Sequence, residues 1–173
     1  KIFQSESLLV DLLDSELLNN PNLNASIKIN INQIDKFEHL KNFVSKINLG
    51  DGRITMRDFK TLWNESVFIR SNEIEFLNDM DGKKLVGEVT FNFEDIEKFF
   101  RYFQIKRNYR DVFDKIRLDF VYDLTLDKLT MNNLKVDNKS FEKIDKFINQ
   151  YNKSKKNLLN KVTIRNFIKE FFQ

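Results

Sequence analysis

Apolar side chains recur at every second position over much of the stretch from Arg53 to Val136, and mostly at every third or fourth position on either side of it. The first period is that of a strand with one buried face, the second that of a helix with one buried stripe. Ile54 and Met56 open the alternation, which then slips by one place to Phe59, as a β-bulge produces. Val67 and Ile69 start a second strand, continued by Ile74 and Phe76 after another slip, and Asp81-Gly82 signals a hairpin turn. Leu85, Gly87, Val89, Phe91 and Phe93 then alternate with Val86, Glu88, Thr90 and Asn92. A further strand carries Ile116, Leu118, Phe120, Tyr122, Leu124 and Leu126. Asp127-Lys128 turns it into Leu129, Met131, Leu134 and Val136, with a slip at Asn132-Asn133.

Helical spacing predicts a helix over Ser5 to Asn19 on Leu8, Leu9, Leu12, Leu13 and Leu17, with Ser5 or Ser7 as N-cap and Pro21 past its end. A short strand with Ile27, Ile29 and Ile31 follows. Ile34, Phe37, Leu40, Phe43, Val44 and Ile47 predict a second helix, closed by Gly50-Asp51-Gly52. Ile96, Phe99, Phe100 and Phe103 form another stripe, and Val112 with Phe113 a shorter one. Two helices end the chain, on Phe141, Ile144, Phe147, Ile148 and Tyr151, then on Val162, Phe167, Ile168, Phe171 and Phe172. The expected class is α+β: an antiparallel, one-sided, curved sheet, a meander with bulges, interrupted and flanked by amphipathic helices. The expected organisation is one domain over residues 1–173, with a sheet core over 24–138 containing inserted helices and a helical segment over 139–173.

Composition narrows the chemistry. At 173 residues and 20.8 kDa the chain is long enough to bury a core without staples. With no cysteine there is no disulfide framework, thiolate nucleophile, iron–sulfur cluster or Cys-based zinc site. A net charge of +3 is well short of a nucleic-acid stripe, so no nucleic-acid partner is expected. No apolar run approaches the roughly 18 residues of a membrane span, and the chain reads as a C-terminal piece of something longer.

The candidate constellations are weak. Setting Gly52 at position 6 of a calcium loop puts Ile47 and Leu49 where carboxylates must coordinate, so no metal is expected. His39, the only histidine, falls on the polar side of the second predicted helix, and no G-x-S-x-G turn accompanies it. No phosphate-binding glycine loop occurs, and carboxylates alternate with lysines as on a solvated helix face. The expectation is a non-enzymatic chain with no cofactor. Arg101, Lys106, Arg107 and Arg110, interleaved with Tyr102, Phe103 and Tyr109, form a basic cluster. It reads either as a charged edge whose aromatics pack inward or as a phosphate contact; on the second reading Arg101, Arg107 and Arg110 are candidates for lipid headgroups.

What remains is the apolar strand face. Ile54, Met56, Val67, Ile69, Val89, Phe91, Phe93, Leu118, Phe120, Tyr122 and Met131, together with Ile116 and Leu129, should point one way. Such a face must be covered by helices, by another sheet or by a ligand, and an acyl chain lying along it is the sharpest reading. The first eleven are the lipid-groove candidates.

Three stretches, GDGRITMRDFKTLWNESVFIRS, GKKLVGEVTFNFEDIEKFFRYFQIKRNYR and IRLDFVYDLTLDKLTMNNLKVDN, resemble the C-terminal region of AsmA-like proteins, the envelope family that includes TamB-type proteins. The likeness runs from Leu23 to Asn138, and the tail NKVTIRNFIKEFF resembles the helix ending such chains. The resemblance implies a periplasmic protein of two-membrane bacteria, tethered to the inner membrane by one N-terminal helix that this chain lacks. It implies sheets curled into an apolar groove that carries phospholipid toward the outer membrane, hence a role in outer-membrane biogenesis and lipid transport, with other envelope proteins as further partners. The alternative is a non-enzymatic α+β interaction or scaffolding module whose core is covered by its own helices.

Overall fold

Seven strands pair antiparallel, each with the next in sequence, into one open sheet in a computed structural model that describes residues 22–33, 39–50, 53–79, 82–140, 142–153 and 161–171. The strands are β1 (Asn24–Gln33), β2 (Leu40–Gly50), β3 (Arg53–Trp63), β4 (Val67–Asp79), β5 (Gly82–Phe93), β6 (Lys115–Asp123) and β7 (Lys128–Val136). Between β5 and β6 lie α1 (Ile96–Tyr102) and a 3-10 turn (Arg107–Tyr109); α2 (Glu142–Lys153) and α3 (Lys161–Phe171) follow β7. The chain is α+β and mostly sheet. The helix expected over Ser5 to Asn19 lies outside the described residues.

Register explains the phase slips. Residues directly opposite in an antiparallel pair share a face. Ile54 faces Phe76, which faces Leu85, which faces Tyr122; Val67 faces Phe93, and Phe91 lies between Ile69 and Ile116. Register shifts between Arg70 and Ile74 in β4 and around Lys41 to Lys46 in β2 return the apolar residues to that face. Asn42, Asp58 and Asn133 take positive φ at such slips, a conformation that short polar side chains tolerate. Gly87 is needed for a different reason. A Cβ there would stand 3.0 Å from both the Glu73 carbonyl oxygen and Ile74 Cγ1, so glycine lets the irregular stretch of β4 press against β5.

Three expectations are corrected. Leu40 to Ile47 belongs to β2, not to a helix; residues 34–38 of that expected helix lie outside the described residues. The stripe looked helical because the slip beside Asn42 moves the apolar positions from 43, 47 and 49 to 40, which mimics a spacing of three and four. Val112 and Phe113 form no helix. Phe113 enters the core while Val112 is 82% exposed, as neighbours on an extended segment are. Leu124 and Leu126 lie beyond β6, in a turn where Asp123 Oδ1 accepts the backbone N–H groups of Thr125 and Leu126.

Candidate apolar ligand site

The three helices pack on the same apolar face. Asp95 caps α1, its Oδ1 accepting from the Lys98 backbone N–H at 3.0 Å, and α1 sends Phe99 and Phe100 onto the sheet. The chain then folds back, and Arg110 holds the return. Its Nε and Nη2 donate to the Ile105 carbonyl at 3.0 and 2.9 Å, and Nη1 donates to Glu97 at 2.7 Å. The guanidinium also lies 5.8 Å from the Phe100 ring centroid. Arg110, a headgroup candidate, is therefore engaged inside the fold, whereas Arg101 and Arg107 are exposed. From the other side α2 and α3 contribute Phe147, Ile148, Tyr151, Ile164, Phe167 and Ile168.

Between the helices and the sheet lies a cavity of about 120 Å³ with no polar surface. Phe91, Phe93, Leu118 and Met131 of the predicted face line it, with Ile116 and Leu134 beside them. Its opposite wall is helical: Phe99, Phe147, Ile164, Phe167 and Ile168. Strand alternation missed that wall, although the helical stripes had named most of it as core.

The other candidates divide. Val67 is buried in the same core, with Ile69, Val89 and Phe120 half-buried against it. Ile54 is buried with Phe76 in a separate cluster, against which Met56, Ile47, Leu49, Leu85 and Leu124 pack. Tyr122 is half-buried, and its hydroxyl donates to Asp127 Oδ1. The predicted face is thus one face carrying two clusters. Toward β1 the described elements leave it bare, and Ile27 is 52% exposed.

His39 precedes β2 in a turn rather than lying on a helix, with its ring edge-on to Tyr102 at 5.4 Å. No group of three His, Cys, Asp or Glu side chains gathers into a metal site among the described residues. No described helix is long and apolar enough to cross a membrane.

Burial raises the Tyr151 phenol above its ordinary value of 10.0. The native state then keeps its proton where the unfolded chain releases it, so this contribution is complete below pH ~10 and is lost as pH rises toward the folded value. Urea midpoints at pH 8 and pH 11 should show a larger alkaline loss for the wild type than for Tyr151→Phe. Equal losses would mean that the phenol is not desolvated. No protein-family model, curated protein or solved structure matches this chain.

Proposed function

We propose that this chain is a lipid-handling segment of the AsmA-like envelope class, in which the apolar sheet face forms a curved groove that receives a phospholipid acyl chain. The protein works in the periplasm, tethered to the inner membrane through a segment outside this chain, and serves lipid transport in outer-membrane biogenesis. It is non-enzymatic and uses no cofactor.

The observation that supports this best is the wholly apolar cavity between sheet and helices. An engineered cavity of about 150 Å³ lined by Leu, Ile and Phe stays dry and takes up benzene. A space of about 120 Å³ accordingly accepts the last few carbons of an acyl chain, not a whole one. At about 0.8 kcal/mol per buried CH₂, three or four carbons contribute roughly 3 kcal/mol, less than the cost of immobilising a ligand. The rest of the chain lies along the half-buried strip of Val89 and Phe120, toward Met56 and the bare face of β1, and there the remaining affinity arises. Arg101 and Arg107 supply exposed cations for the headgroup phosphate.

Native mass spectrometry and lipid extraction test this on the folded wild type. Phospholipid should co-purify, and Leu118→Phe, which fills the cavity, should lower the lipid carried per protein several-fold while the fold persists. Lipid-free wild type would sink the reading. It would favour the second one, a scaffolding module with a self-covered core, which the burial of Phe100 on α1, Ile105 after it and Ile168 on α3 in one cluster with the strand residues already supports.

A further inference from the structure

The side of the sheet away from the helices carries an imbalance of charge that the net value of +3 conceals. Lys60 lies opposite Arg70, Arg70 opposite Thr90, Thr90 opposite Arg117, and Arg117 opposite Lys135. Four of these five positions, on five adjacent strands, are cationic. Adjacent strands are about 4.8 Å apart, so the row is about 19 Å long. A second row runs Lys28, Lys46, Arg57, the last facing Glu73.

Several acidic side chains on this face are engaged, some by cations and some by neutral donors. Glu73 pairs with Arg57 at 2.9 Å, Glu88 with Arg117 at 3.1 Å and Glu75 with Arg53 at 3.7 Å. Glu65 accepts from Lys41 at 2.6 Å, and that hydrogen bond holds its carboxyl below its usual range. Asp119 accepts from Asn133, and Asp123 from its own turn. Lys28, Lys46, Lys60, Arg70, Lys115 and Lys135 form no ion pair among the described residues. Like charges directly opposite in a sheet are destabilising. Glu88 relieves Arg117 and Glu73 relieves Arg57, but no ion pair among the described residues relieves Lys60 opposite Arg70 or Lys28 opposite Lys46, as on a face that meets an external anion.

We infer that this polar face docks on an anionic lipid surface. A flat array of cations spread over several strands matches many headgroups at once, each cation near such a surface contributing to the attraction. Single-stranded nucleic acid is disfavoured because its binding sites carry aromatic rings for stacking bases. On this face Phe68 is half-buried, with the Arg70 guanidinium 5.5 Å from its ring centroid. The inference does not depend on acyl-chain binding, since the cavity lies against the opposite face of the sheet.

Vesicle flotation in 0.15 M salt tests it, with the full chain and vesicles of phosphatidylcholine containing 30% phosphatidylglycerol. The wild type should bind these and not pure phosphatidylcholine vesicles, and binding should fall steeply at 0.5 M salt. Lys60→Gln with Lys135→Gln should weaken it roughly thirty-fold. The same pair removes like-charge neighbours, so its melting temperature should equal or exceed that of the wild type, which separates lost docking from lost folding. Equal binding to neutral vesicles would overturn the inference, as would indifference to the double substitution. Displacement from the vesicles by single-stranded DNA at equal phosphate would also overturn it, in favour of a nucleic-acid face.

Discussion

Replacing Phe100 by alanine lowers the free energy of unfolding by about 3–5 kcal/mol. The ring is 1% exposed and lies where α1, the segment after it and the sheet meet. Phe99 and Phe113 stand edge-on to it with centroids 6.0 and 6.1 Å away, and the Arg110 guanidinium lies near it. Truncation removes the ring's transfer energy and leaves a void that helix and strands close only in part. At a slope of about 2 kcal/mol per molar urea, the midpoint should drop by roughly 2 M. Phe68→Ala, on the polar face and half-buried, serves as the comparison and should cost far less. A loss below about 1 kcal/mol for Phe100→Ala would show that α1 is not anchored through this ring.

Asn152→Ala should rank next, for a different reason. Asn152 on α2 reaches β7, where its Oδ1 accepts the Met131 backbone N–H at 3.0 Å and its Nδ2 donates to the Met131 carbonyl at 2.7 Å. The amide thus does for β7, the last strand, what an eighth strand would do at that residue. Met131 is 2% exposed, so removing the amide strands a donor and an acceptor away from water. At about 1–3 kcal/mol for each group, the loss should be roughly 2–6 kcal/mol. Freed edge groups also invite pairing with another chain. Hydrogen exchange at the Met131 amide should accelerate, and sedimentation should show more self-association than for the wild type. Unchanged exchange at Met131 would mean that the contact contributes nothing to stability.

The legibility of the fold followed the regularity of each element. β5 pairs on both sides without internal irregularity over its second half, and its alternation from Leu85 to Phe93 was plain. β2 was misread because it is irregular. With Asn42 in a left-handed conformation, its apolar residues no longer keep a period of two, and a short window cannot distinguish that from a helical stripe. The segment after α1 was misread because Arg110 organises it, through a carbonyl five residues back and a carboxylate thirteen residues back. No local pattern encodes such a strap. Of the candidate cavity, alternation supplied the sheet wall, whereas the meeting of Phe91 and Leu118 with Ile164, Phe167 and Ile168 depended on where the helices land.

Local physics decided the rest of what was readable. Pleating sends alternate side chains to opposite faces, so apolar residues at every second position already specified strands with one face to bury. The turn signals at Asp81-Gly82 and Asp127-Lys128 already specified antiparallel hairpins between the strands they join. Which strand lies beside which is a long-range outcome, and only the folded chain decided it. Lys60, Arg70, Arg117 and Lys135 are scattered over 76 positions of sequence among as many acids as bases nearby, and they read there as ordinary solvated charge. Cross-strand pairing sets Lys60 beside Arg70 and Arg117 beside Lys135, with Thr90 between the two pairs, while Glu88 engages Arg117 and Glu73 and Glu75 engage arginines outside the row. Electrostatic energy depends on distance in space, not along the chain, so a chain of mild net charge carries a strongly basic face only once it is folded.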